Sequence, residues 1–510
     1  MPTDQKTQKI ILISAILGSS MASIDGTALN VAMPALQRSL SLTANQLLWV
    51  INAYTLFLAA LVLLGGSLGD TYGKKKMFLT GIIFFTIFSI SCGFAQSGEM
   101  LIISRALQGI GAAFMIPGSL SIISAAYPQE TRGGAIGSWS MFSAFTTLLG
   151  PVLGGYLASQ GLWRYIFFIN IPLGIVCILL LWKIPEPAKK REQKIDWLGA
   201  LLVTLGLSSL TYGCIGASEK GFDDIYTLVF IGLGLVLLFL FLVWERKTAY
   251  PILPLGLFKS QTFSAANLLT LFVYGALGAV LFFLPLNLVQ VQGYSENIAG
   301  FALLPFAGLI AILARFSGKW TDKTGAKPPL IVGPILTAIG FYSFSLMGET
   351  SGPDAYFSTF FLPLLISGIG MGLTVVPLTT AVMNCVNDES TGVASGVNNT
   401  ISRLASVLAL AILGSFLVIS FKTHLNNNLV DQGFDQPKLE YVDMEADKLL
   451  EAKALDNWAA DEKRVFEKAL SASFLSAYEL ICTAAGMLCL ISAVVAAFFI
   501  KTNPRTIELK

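Results

Sequence analysis

The stretch GGSLGDTYGKKKMF, Gly65–Phe78, closes an apolar run with glycines, an aspartate and three consecutive lysines. Glycine allows the tight reversal that a chain leaving the bilayer needs, and clustered lysines hold such a loop on the cytoplasmic face. Its core, GSLGDTYG (Gly66–Gly73), returns as GKWTDKTG (Gly318–Gly325) with the same GxxxDxxG spacing. Two further pairs repeat in order: GIG at Gly109–Gly111 and Gly368–Gly370, and GxAxG at Gly133–Gly137 and Gly392–Gly396. Glycine is abundant, with 47 copies, so any one match is weak. Together, in matching order, the three pairs predict two parallel six-span halves.

The 510 residues are 54% apolar and only 13% charged, which excludes an ordinary soluble globular protein. With about 20 apolar residues needed to cross the hydrocarbon, fourteen segments qualify, from 10–34 through the fifth, 133–159, to the last, 474–501. The expected fold class is an all-α polytopic membrane protein. An N-terminal six-helix bundle covers 1–184, two extra central helices lie within 185–250, and a C-terminal six-helix bundle covers 251–510. The first apolar run is too long for a signal-peptide core and reads as a retained span. Basic residues such as Lys74–Lys76, Arg132, Lys190, Arg191 and Arg246 fall in alternate loops, whereas the opposite short loops hold only Arg38, Arg164 and Lys220. An even span count and that bias put both termini in the cytoplasm, in a plasma or inner membrane. All six cysteines fall within spans, so no disulfide framework is implied.

Four more stretches complete the pattern: SIDGTALNVAMPAL from Ser23, LIISRALQGIGAAFMIP from Leu101, GPVLGGYL from Gly150 and WRYIFFINIPLGI from Trp163. With the opening stretch they resemble the major facilitator superfamily, in its fourteen-span drug:proton antiporter branch, over nearly the whole chain. The resemblance implies two six-helix bundles that alternate access to a central cavity. It implies a conformational latch of Gly66, Asp70, Gly73 and Arg132, and an antiporter motif of Gly150, Pro151, Gly154 and Gly155. Physics leaves both motifs a plainer use. Lysines beside Asp70 suit a solvated topology loop, and small residues in GPVLGG suit close helix packing.

Intramembrane charges are expensive and default to function. Asp25 lies about fifteen residues into the first span and Arg105 about six from the outer end of the fourth, roughly 22 Å and 9 Å at 1.5 Å per residue. Because the two spans run in opposite directions, these are comparable depths, and Asp25 with Arg105 is the expected proton-coupling pair. Desolvation favours the protonated form of a carboxylate and a nearby arginine favours the ionised form. An acid whose partner and exposure change between two states would therefore exchange protons. A static pair that locks the bundle is the alternative. The substrate cavity is expected to involve Asn52, Gln108, Asn398, Asn399 and Arg403. Some relatives that export dicationic compounds are acidic where this chain has Asn52 and the segment before Arg403, so dications fit it poorly.

An insertion, 423–472, separates the last two spans and carries the only histidine, His424. Its apolar spacing, with Leu439, Val442, Leu449, Leu455, Trp458, Val465, Phe466 and Leu470 buried, predicts two short helices packed as an extracytoplasmic hairpin. It reads as a structural cap, with docking of an adaptor protein as the alternative. His424 has no flanking Cys or His, so no metal site is expected.

The chain has no GxxxxGK[ST] sequence, no metal-ligand cluster and no nucleophile–base arrangement, which leaves nothing for an ATP-driven pump or a membrane enzyme. No cofactor and no nucleic-acid partner are expected. The function expected is proton-coupled export of small hydrophobic or amphipathic compounds, that is multidrug efflux. A lipid or glycolipid exporter is the alternative within transport, since arginines in a cavity suit anionic head groups. A non-transporting scaffold or receptor is the alternative from another class.

Overall fold

The computed structural model describes residues 4–127, 129–182, 184, 195–385 and 391–501; some side chains within its helices, including those of Asp70, Arg132, Arg315 and Asp322, lie outside that description. In chain order the helices are α1 (Gln5–Leu40), α2 (Ala44–Tyr72), α3 (Lys74–Gly93), α4 (Gly98–Ala126), α5 (Gln129–Ser159), α6 (Tyr165–Phe168), α7 (Asn170–Trp182), α8 (Trp197–Lys220), α9 (Ile225–Glu245), α10 (Gln261–Leu286), α11 (Glu296–Ala302), α12 (Leu304–Thr324), α13 (Lys327–Ser345), α14 (Phe361–Met383), α15 (Thr391–Asp431), α16 (Gln436–Glu445) and α17 (Ala460–Phe499). Among the described residues, thirteen helices are long and apolar enough to cross a membrane, and the chain is a multi-pass membrane protein. The expected fifth span, 133–159, falls within α5, many of whose side chains lie outside the described residues.

Local chemistry sets the helix starts. Asp4, Thr43, Ser97, Asp196, Asp224, Ser260 and Ser295 each accept a hydrogen bond from a backbone N–H in the first turn. The repeated GxxxDxxG stretches become the same turn twice. Gly73 ends α2 at φ 115° and Gly325 ends α12 at φ 81°, a backbone region that favours glycine.

The packing repeats with the motifs. In the first half α1 lies against α5 and α7, α2 against α4, and α3 against α4 and α7. In the second, α10 lies against α15 and α17, α12 against α14, and α13 against α14 and α17. Between the halves in sequence, α8 and α9 pair with each other, and α8 rests on both α2 and α15. Helix α9 turns outward side chains such as Leu235, Val236 and Phe239, an apolar face suited to lipid.

The insertion differs from the expected pair of short helices. Helix α15 runs on to Asp431 and α17 starts at Ala460, so the long helices themselves supply both sides of it. Between them stand only α16 and a 3-10 turn, Ala446–Glu451. Val442, Leu449, Trp458 and Phe466 join the main core of the molecule, with Trp458 ringed by Phe434, Tyr441 and Phe466. Leu455, expected to be buried, is exposed. Apolar periodicity marks which residues seek a core, but not that the adjoining spans extend to provide it.

Candidate functional site

Asp25 on α1 and Arg105 on α4 are both fully buried and face each other, with Arg105 Nη1 donating to Asp25 Oδ2 at 2.5 Å. Gln108, one turn along α4, closes a triangle. Its Oε1 accepts from Arg105 Nη1 at 2.7 Å and its Nε2 donates to Asp25 Oδ1 at 3.0 Å. Arg105 Nε donates to the Val50 carbonyl of α2, and the guanidinium stacks over the Tyr54 ring at 4.1 Å. Both carboxylate oxygens are thus engaged, as burial of a charge requires.

Beside this triangle lies a cavity of about 350 Å³. Ser19, Ser23, Gly26 and Thr27 of α1, Tyr54 and Thr55 of α2, Trp139 and Thr147 of α5, Arg105 and Arg403 are among its walls. Trp139 Nε1 donates to Ser19 Oγ, which donates to Ser119 Oγ, tying α5, α1 and α4 together at the cavity edge.

Of the five residues expected in the cavity, Arg403 lines it and the others stand elsewhere. Gln108 and Asn52 are fully buried behind the wall, and among the described residues Asn52 has no partner for its amide. Asn398 Nδ2 donates to Asn267 Oδ1 and Thr270 Oγ1 of α10, while Asn399 is exposed. A position counted along a helix gives depth, whereas the direction of a side chain follows from how the helices are rotated against one another.

The GPVLGG motif lies where three helices nearly touch. A Cβ on Gly154 would stand 2.2 Å from the Ala28 carbonyl oxygen of α1, and one on Gly155 2.3 Å from that of Glu296 on α11. Gly150 abuts Thr27, and the Pro151 carbonyl meets Gly300. The motif joins the two halves through bare backbone. The charged members of the expected latch, Asp70 and Arg132, have side chains outside the described residues. Nearby, Lys75 Nζ donates to the Ile184 carbonyl, fastening the start of α3 to the end of α7.

A second polar cluster, not anticipated from the sequence, sits at the end of the molecule where α1 finishes and α11 begins. Arg38 of α1 pairs with Glu296 of α11 and stands 3.9 Å from Glu451 of the insertion. Gln290, in a π-helical turn Asn287–Val291, donates to both Gln37 Oε1 and Glu451 Oε1. Gln37 Nε2 donates to the Lys448 carbonyl at 2.7 Å. First half, second half and insertion are locked together here. Burial pushes the Glu451 carboxyl up, and Arg38 opposes that shift. The signal available in sequence was Arg38, one of few cations on the sparsely charged side.

The family model described as Major Facilitator Superfamily matches residues 15–410. Multidrug resistance protein Stp of Mycobacterium tuberculosis is 32% identical over 426 residues, covering 83% of this chain and 78% of that protein. The tetracenomycin C resistance and export protein of Streptomyces glaucescens is 28% identical over 498 residues, covering 97% and 92%. Among solved structures, a bacterial homologue of the human lysosomal transporter Spinster superposes with a TM-score of 0.69 at 18% identity, covering 98% of this chain and 99% of that one.

Proposed function

The chain belongs to the major facilitator superfamily, and from that premise we propose that it is a proton-coupled exporter of small hydrophobic or amphipathic compounds, in the fourteen-span branch. Family and fold point to a transporter rather than an enzyme, and relatives named for multidrug resistance and antibiotic export suggest efflux. Both termini are cytoplasmic in this reading, with bundles at 1–184 and 251–510 and two extra helices within 185–250.

The observation that carries the coupling proposal is the closed triangle of Asp25, Arg105 and Gln108. With Asp25 ionised, α1 is held to α4 by a charge-assisted bond. When Asp25 takes a proton, the ion pair is lost and α1 is freed to shift against α4. The same helix carries Arg38 of the far-end lock, so protonation in mid-membrane and opening at the far end share one continuous helix, with Pro34 between the two sites. In this reading the cluster around Arg38 holds the outer side closed. The latch at Gly66, Asp70, Gly73 and Arg132 would hold the alternate, inward-closed state, and the glycines of α5 serve as the seam along which the halves rock.

The test is acid-driven flux in proteoliposomes, with proton release recorded on addition of a hydrophobic substrate. Wild type should couple the two, and Asp25→Asn should bind substrate without releasing protons. Uphill export by Asp25→Asn with unchanged proton movement would move the coupling site elsewhere. Absence of any pH-driven flux in the wild type would favour the scaffold reading.

A further inference from the structure

Two arginines line the central cavity, and among its described lining residues there is no carboxylate. Arg105 is already answered: Asp25, behind the wall, takes up its charge. Arg403 is not. It comes from α15 in the other half, makes no hydrogen bond or ion pair among the described residues, and its buried Nε is without a partner. A guanidinium held beside apolar surface with nothing opposite it is costly.

From this we propose that the cavity selects amphipathic compounds carrying a single negative charge, and that Arg403 is the group that holds that charge. This rests on the transporter reading above and adds the charge class of what is carried. The geometry suits such a ligand. A cavity of about 350 Å³ lies in the range of small-molecule sites, roughly 300–1,000 Å³. Tyr54, Trp139, Ile51 and Ile116 offer apolar walls for the body of the molecule. The planar fork of Arg403 matches a carboxylate, sulfonate or phosphodiester oxygen pair. A cationic compound of the same size would meet the unanswered charge of Arg403 and no acid among the described lining residues, a like-charge penalty that disfavours it. The anion could reach the site as a soluble amphiphile or as the head group of a lipid, and both present the same chemistry to Arg403.

The test uses purified full-length protein and three matched fluorescent probes: a dansyl fatty acid, its methyl ester and a dansyl alkylammonium of equal length. Binding is followed by fluorescence anisotropy, and transport is measured in the proteoliposomes above. Wild type should prefer the acid over the ester by about tenfold, which corresponds to about 1.4 kcal/mol, and the ammonium should bind weakest. Arg403→Gln should abolish the acid-to-ester preference, and Arg403→Lys should keep part of it by retaining the charge. Equal binding of acid and ammonium by the wild type overturns the proposal without any variant, as does a preference that survives in Arg403→Gln. Competition by a short-chain phosphatidylglycerol analogue marks the bilayer as the source of the anion, and competition only by free carboxylates marks solution. The two readings fail separately. Acid-driven flux of the ester with no charge preference removes the anion site and leaves the transporter. A charge preference in binding with no flux of any probe does the reverse.

Discussion

Helix α1 carries two ion pairs, and they differ in every respect that matters to a machine with two states. Asp25–Arg105 lies wholly within the first half, fully buried, with Gln108 completing its hydrogen bonds. Arg38–Glu296 joins the two halves at the far end, with the arginine side chain 44% exposed and the glutamate 11%. A pair inside one bundle cannot by itself bar the path between bundles, yet its burial makes the loss of either partner costly. A pair between bundles bars the path, yet solvent weakens it. In the proposed cycle the element that senses a proton is thus separate from the element that opens, and one helix carries a member of each.

The largest effect should come from the buried pair. Asp25→Ala leaves Arg105 without its counter-charge and should destabilise the protein by about 3–5 kcal/mol, the usual cost of breaking a buried ion pair. Asp25→Asn keeps the shape and should abolish proton release while losing less stability. Thermal unfolding in detergent, read beside vesicle proton release, separates the two; equal stability of Asp25→Ala and wild type would mean that the pair is not desolvated as described.

The seam between halves comes next. Gly155→Ala puts a methyl group against the Glu296 carbonyl and should disfavour the closed far end by about 1–3 kcal/mol, as overpacking does. Because all six native cysteines are buried, a cysteine introduced at Leu40 reports accessibility at that end. Its labelling by an impermeant thiol reagent should rise in Gly155→Ala. Labelling as slow as in the parent would show that the seam has slack.

Removing the exposed member of the lock should do less. Arg38→Gln should raise the same labelling only a few-fold, for about 0.5–1 kcal/mol, since a half-exposed pair is screened. A change as large as that of Gly155→Ala would erase the distinction between the two pairs.

The smallest expected effect is a pH dependence. Burial holds the Glu451 carboxyl above its ordinary value of 4.5, so the closed far end binds a proton more readily than an open one, where Glu451 meets water. That contribution to closure is present in full below 4.5 and is lost as pH rises through the raised value. Labelling at Leu40 should therefore increase as pH climbs through that window, and Glu451→Gln should flatten the increase. A slope of opposite sign would mean that Arg38 outweighs burial at this carboxyl.

A many-spanned membrane protein and its mid-membrane charges were legible in the residues because bilayer thickness is a one-dimensional constraint. A helix advances a fixed distance per residue, so apolar length marks a crossing and position within it marks depth. That was enough to set Asp25 opposite Arg105. It was not enough to say that Gln108 faces the pair rather than the cavity, that Asn52 is buried behind the wall, or that Arg403 is left without a partner among the described residues. Nor did it reveal the far-end lock, whose Arg38 and Glu296 come from different halves of the chain. Those facts depend on how far each helix is rotated and how closely small residues let it approach its neighbours. Packing across the whole bundle decides both, and no segment carries that information alone.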